Sequence, residues 1–145
     1  MIRFLIDTSV WSEALRRKEK KLNSSETLVK RIIENNEEIV IIGIILQEIL
    51  RGITNETLFS EIKNILNDFS FIDISREDYI FAAELRNKCK QQGITAGSFD
   101  FLIASVAINN NLTLVTYNNN FINISRHTRL KILDETKYLN FKNGV

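Results

Sequence analysis

The chain has 145 residues, 44% apolar and 26% charged, and its 19 basic against 18 acidic side chains leave a net charge of +1. This balance excludes the low hydrophobicity and high net charge of a disordered chain, and it does not announce a nucleic-acid binder, although a near-zero total can hide a separation of signs. A single cysteine, Cys89, and a single histidine, His127, exclude an intramolecular disulfide, a multi-cysteine zinc or iron–sulfur centre and most histidine-rich sites, and make a Ser–His–Asp triad unpromising, so any bound metal needs oxygen ligands, which favours Mg²⁺ or Mn²⁺ over zinc.

This length fits one domain, residues 1–145, able to bury roughly 68–70% of its unfolded surface. Ile2–Asp7 (IRFLID) is a short, nearly continuous apolar run, as in a central parallel strand. It is too short for a signal peptide or a membrane span, and no later segment approaches the ~20 apolar residues a spanning helix needs. Together with the cysteine usage this suits a cytoplasmic protein. Ser9 can cap a helix reaching about Lys20, and Asn23 and Ser24 precede a second over Glu26–Asn35, with Leu28, Ile32 and Ile33 on one face.

Ile39–Ile42 (IVII) is a second β-branched run, broken by Gly43. Ile44–Arg51 then reads as a short helix with Gly52 at C′, and Thr54–Asp68 as another, with Leu58, Ile62, Ile65 and Leu66 in register. Phe69–Ile74 (FSFIDI) alternates like a half-buried strand. Ser75-x-x-Asp78 has capping-box spacing and opens a helix of about 16 residues toward Gln92, ended by Gly93. Ser98 caps Phe99–Asn109, Leu112–Thr116 is a strand, and Lys131–Leu133 is a candidate last strand. Strands alternating with helices predict βαβ units and a doubly wound α/β sheet.

Three acids lie at the edges of these units. Asp7 ends an apolar strand, where ligands bind in open α/β sheets; an Asx turn or N-cap would use the same residue. Glu48 falls at about 40° on a helical wheel with Ile44 at zero, inside the apolar arc, while Gln47 and Arg51 mark the polar side. A carboxylate there must be paired, protonated or metal-bound, and an ion pair with Arg51 is the simpler alternative. Asp100 belongs to the first turn of a helix that is apolar nearly all round, where it also favours the helix dipole. Ala104 and Ala107 above it suggest room for an ion or phosphate.

FLIDTSVW, the Glu of ILQEILRG, and SFDFLIASVA followed by LTLVTYNNNF resemble the successive motifs of PIN-domain nucleases, in particular VapC-type toxins of bacterial toxin–antitoxin pairs. The resemblance runs from about Ile2 to Phe121, and its third motif, an Asp followed by Leu-Ile-Ala, is the most specific. It implies a Rossmann-like α/β/α sandwich with a central parallel sheet, Mg²⁺ or Mn²⁺ dependence and endonucleolytic hydrolysis of RNA, often tRNA. It implies that Asp7, Glu48 and Asp100 are the catalytic, metal-holding acids. Asn118 stands where many members carry a fourth acid, and offers only a neutral oxygen. Thr116 and Ser9 would support the site, Thr116 by positioning a water or an Asp through its hydroxyl. An antitoxin that blocks the groove and a homodimer are further implications. A non-catalytic PIN-like binding module is the alternative that Asn118 keeps open. A haloacid-dehalogenase-type phosphotransferase fits worse, because Ser9 stands where its motif needs a second Asp.

Among other residues, Arg16, Arg17, Lys18, Lys20 and Lys21 form a basic cluster that could meet RNA phosphates or be a solvated helix end. Trp11 reads as core or dimer contact, His127 as a surface residue and Cys89 as structural.

Overall fold

The computed structural model describes residues 1–15, 24–136 and 138. Five strands form one sheet: β1 Arg3–Ile6, β2 Glu38–Ile42, β3 Ser70–Ile72, β4 Thr113–Val115 and β5 Lys131–Ile132. The helices are α1 Thr8–Ala14, α2 Ser24–Glu34, α3 Gly43–Leu50, α4 Glu56–Asn67, α5 Arg76–Gln91, α6 Ser98–Asn109 and α7 Asn119–Ser125. All pairings are parallel and the spatial order is β3-β2-β1-β4-β5. Phe4 faces Ile39 on one side and Thr113 on the other, so β1 is the central strand. The expected α/β architecture with a central parallel sheet is therefore present.

This order decides where the helices go. The chain steps from β1 to β2 to β3 in one direction, then returns past β1 to β4 and β5. Because such crossovers are right-handed, α2 and α4 cover one face and α5, α6 and α7 the other. In keeping with this, α1 packs on α2 and α3, α3 on α4, α5 on α6, and α6 on α7. The central strands carry apolar side chains on both faces because both are covered: Phe4, Leu5, Ile6, Val40, Ile42 and Leu114 have no exposed surface. Trp11 is buried in this core against Phe69, with ring centroids 5.5 Å apart.

Several ends differ from expectation. Helix α1 begins at Thr8, with Asp7 as its N-cap residue, because Asp7 has left the strand pairing in an extended conformation; Ser9 already lies inside the helix. Likewise Gly97, not Ser98, precedes the first turn of α6. Gly43 opens α3 rather than separating it from β2. Gly52 follows the C-cap Arg51 without the left-handed backbone of a C′ glycine, whereas Gly93 has it, with φ 76° after α5. The turns into β2 and β4 use left-handed Asn36 and Asn111. The capping box of α5 forms as read: Asp78 N–H donates to Ser75 Oγ at 3.2 Å, and Ser75 N–H to Asp78 Oδ2 at 2.9 Å. Helix α7 was not foreseen. The continuation of the first helix and the basic cluster of residues 16–21 lie outside the described residues, as does most of the chain after Glu135.

Candidate active site

In an open α/β sheet the crevice forms where the strand order reverses, beyond the carboxyl ends of the strands. Here that place lies between β1 and β4. The residues just past these ends are Asp7 and Thr116, and Asp7 N–H donates to the Val115 carbonyl at 2.9 Å, closing the two strand ends together.

Asp7 is 6% exposed. Its Oδ2 accepts from Ser9 Oγ and from Thr116 Oγ1, each at 2.8 Å. Its side chain makes no capping bond to α1, so the N-cap reading holds for the backbone and not for the carboxylate. Ser9 Oγ in turn accepts from the Tyr117 amide at 3.3 Å. Ser9 and Thr116 therefore bridge β1, α1 and the loop after β4 through one carboxylate oxygen.

Glu48 is half-buried on α3 and accepts from Thr8 Oγ1 at 2.7 Å through Oε2. Among the described residues it forms no ion pair with Arg51, which is exposed. The position inside the apolar arc has a simple cause: that face of α3 packs on α1, which begins with the hydroxyl that Glu48 meets. Thr8 is adjacent to Asp7, so the second acid is tied to the first through neighbouring residues.

Asp100 sits in the first turn of α6, half-buried. Its Oδ2 accepts from the Gly97 amide at 3.3 Å, which is the helix-end role, and from Asn120 Nδ2 at 3.1 Å. Asn120 N–H donates to Asn118 Oδ1 at 2.9 Å, and Asn118 N–H donates to Thr116 Oγ1 at 3.0 Å. A continuous run of hydrogen bonds thus leads from Asp7 through Thr116, Asn118 and Asn120 to Asp100. Asn118 already spends an oxygen lone pair on capping α7. Ala104 and Ala107 have no exposed surface, so they serve the close packing of α6.

Sequence reasoning missed Thr8 and Asn120. Thr8 directly follows Asp7 in a polar pair, but its target on α3 is set by the packing of α1 on α3. Asn120 is one of three successive asparagines, and without the α7 period nothing distinguished the one that faces α6. His127 is exposed on the loop after α7. Cys89 has no exposed surface, and burial pushes its thiol up against the opposing effect of Lys88, so neither serves as a nucleophile here.

The donor set fits a hard divalent cation in one particular way. Among the described residues no three Asp, Glu, His or Cys side chains stand close enough together to ligate one ion directly. Mg²⁺ does not ask for this, since it is commonly held by one or two carboxylates with several waters retained. Asp7, Glu48 and Asp100 each take their hydrogen bonds on one carboxylate oxygen, Oδ2, Oε2 and Oδ2. The second oxygen of each suits a direct or a water-mediated contact with such an ion.

Comparison with known proteins agrees with this architecture. The PIN domain family model matches residues 4–127. The chain is 32% identical over 120 residues to Ribonuclease VapC2 of Rickettsia felis, covering 79% of this chain and 86% of that protein. It superposes on the crystal structure of VapBC2 from Rickettsia felis bound to a promoter DNA fragment with a TM-score of 0.74 and 27% identity, covering 91% of this chain and 98% of that one. The DNA-bound VapBC of Salmonella typhimurium gives the same TM-score, 0.74, at 22% identity over 93% of this chain and 99% of that one, a likeness of fold.

Proposed function

The chain belongs to the PIN domain family, and from that premise we propose that it is an endoribonuclease, the toxin of a toxin–antitoxin pair, which hydrolyses RNA phosphodiesters with Mg²⁺ or Mn²⁺. The observation that carries this reading is the run of hydrogen bonds that links Asp7 to Asp100 at the switch point of the sheet, with Glu48 bonded to Thr8, the residue next to Asp7. The similarity to a ribonuclease over most of the chain supports it. Residues 1–145 act as one PIN domain in the cytoplasm, as a homodimer, neutralised by a cognate antitoxin, with tRNA as a candidate target. Support for the antitoxin comes from solved relatives that are VapBC assemblies. Among the described residues no helix is long and apolar enough to cross a membrane.

Each residue has a distinct part. When bound, the divalent ion supplies a water of lowered pKa and offsets charge that develops on the phosphodiester. Asp7 is the anchor, the most buried of the three acids and fixed by two hydroxyls, so its remaining oxygen keeps one direction. Glu48 and Asp100 stand on α3 and α6, one from each helical layer, and with Asp7 would hold the cation directly or through its waters. Thr8, Ser9, Thr116 and Asn120 donate to these carboxylates and hold each in one orientation.

The test is cleavage of total RNA by purified protein with Mn²⁺. The wild type should cut and Asp7→Asn should not. Cleavage that survives Asp7→Asn would refute the assignment of the site, and a wild type that binds RNA without cutting it would favour the binding-module alternative that Asn118 suggests.

A further inference from the structure

We propose that the cleft between α5 and the loop joining α7 to β5 binds the phosphate backbone of single-stranded RNA, extending the substrate path beyond the acidic crevice. The proposal rests on the ribonuclease reading above. The cleft encloses about 460 Å³ and is lined by Glu84, Leu85 and Lys88 of α5 and by Arg126, His127 and Arg129 of the loop. Lys88, Arg126 and Arg129 are exposed, and among the described residues none of them forms an ion pair. Among the described residues the Arg126 guanidinium reaches only the neutral Asn123 Oδ1, at 3.5 Å. Among the described residues Glu84 is the only acid in the lining.

Helix-dipole compensation accounts for Lys88 and Lys90 in the last turn of α5. It does not account for Arg126 and Arg129, which a separate element brings to the same cleft as Lys88. Like charges facing one another across a cleft repel, and nothing in the fold of a chain with net charge +1 requires them to meet. An anion filling the cleft reverses the sign of that term, and the planar guanidinium fork matches a phosphate in particular.

The anion is assigned to RNA by what the crevice lacks and by where the cleft lies. Among the described residues, the hydrogen-bond network around Asp7, Glu48 and Asp100 consists of carboxylates, hydroxyls, amides and backbone groups, with no lysine or arginine in it. A polyanion is repelled by the carboxylates wherever it is not held by cations, and the cleft offers it cationic side chains. Helix α7 connects the two places. Asn120 at its start meets Asp100, and Arg126 is its C-cap. The seven residues of α7 rise about 10 Å, a span that a few nucleotides cover.

The experiment uses full-length Asp7→Asn protein without divalent metal, and measures anisotropy of a fluorescein-labelled mixed-sequence oligoribonucleotide across a salt series. Adding Arg126→Glu/Arg129→Glu should weaken binding by at least about tenfold. It should also make the slope of log K against log salt shallower by roughly 1.4, the loss of two single-strand phosphate contacts. Arg126→Gln/Arg129→Gln should give a smaller loss in the same direction, with an unchanged melting temperature. Lys30→Glu/Lys63→Glu, on exposed lysines of α2 and α4, changes net charge equally and should have little effect. Unchanged affinity in the cleft variant overturns the proposal, and leaves an acidic protein segment as the occupant to seek. An equal loss in both charge-reversal variants also overturns it, since net charge alone would then be responsible. Because binding is read without turnover, a protein that binds through the cleft yet cuts no RNA sinks the ribonuclease reading and spares the site.

Discussion

Two hydroxyls converge on a single oxygen of Asp7, and one of them, Thr116 Oγ1, also accepts from the Asn118 amide. Removing such an outer partner typically costs 10–100-fold in metal affinity or activity. Thr116→Val should therefore weaken Mn²⁺ binding by roughly tenfold or more in titration calorimetry, with little loss of folding stability because Thr116 itself is half-buried and valine keeps its shape. Binding as tight as wild type would show that Asp7 needs no such support. Asn118 makes the opposite case. Asp and Asn cap helices about equally well, so Asn118→Asp should keep α7 intact while adding a carboxylate beside the network that leads to Asp100. Tighter Mn²⁺ binding is the expected result, and weaker binding would mean that the amide itself is needed. At this scale the sequence displayed the acids and, through the resemblance, Ser9 and Thr116, and hid the remaining partners. Asp7, Glu48 and Asp100 stood out as charges beside apolar runs, whereas Thr8 and Asn120 acquire meaning only when α3 and α6 come near them.

The α5–α6 pair is the strongest case of an element held by few polar groups. Asp78 is 3% exposed; it closes the α5 capping box, and its Oδ1 accepts from Asn109 Nδ2 at 2.8 Å. The neighbouring Ser105 Oγ donates to the Asp78 carbonyl, also at 2.8 Å. Asp78→Ala removes a cap and strands the Asn109 amide, which together should lower unfolding stability by about 2–3 kcal/mol in urea titration. A change below about 0.5 kcal/mol would mean that water replaces both bonds. The capping box and the glycine stop at Gly93 were legible because their residue types have local causes. Helix α7 was not, because Asn-Asn-Asn reads as a turn; its apolar residues Phe121 and Ile124 show a helical period only once Asn118 is known to cap it. The starts of α1 and α6 were each placed one or two residues late, since serine is the commoner cap and the actual capping residues are Asp7 and Gly97.

Over the whole molecule, alternating strands and helices gave the parallel sheet, but the order β3-β2-β1-β4-β5 follows from no periodicity. The resemblance implied a Rossmann-like sandwich but no strand order, and the switch point between β1 and β4 explains why three distant acids face one crevice. Charge behaves similarly. A net charge of +1 concealed an acidic crevice and a basic cleft. One global consequence concerns pH. Burial, and then the negative charge of Glu13, raises the pKa of Glu135. The folded state thus holds this proton more tightly than the unfolded chain. Its favourable contribution is present below the unfolded pKa and is lost as pH rises through the folded one. Glu135→Gln should accordingly raise the melting temperature at neutral pH and leave it nearly unchanged in acid, where the wild-type group is protonated. A variant less stable than wild type at neutral pH would contradict that sign.

The most direct test of the account is an anomalous difference map from crystals grown or soaked in Mn²⁺ at a concentration that supports RNA cleavage. A peak within direct or one-water reach of Asp7, Glu48 and Asp100, absent from Asp7→Asn crystals, is the expected result. Mn²⁺ bound elsewhere, with that crevice empty while the same protein cuts RNA, would contradict it.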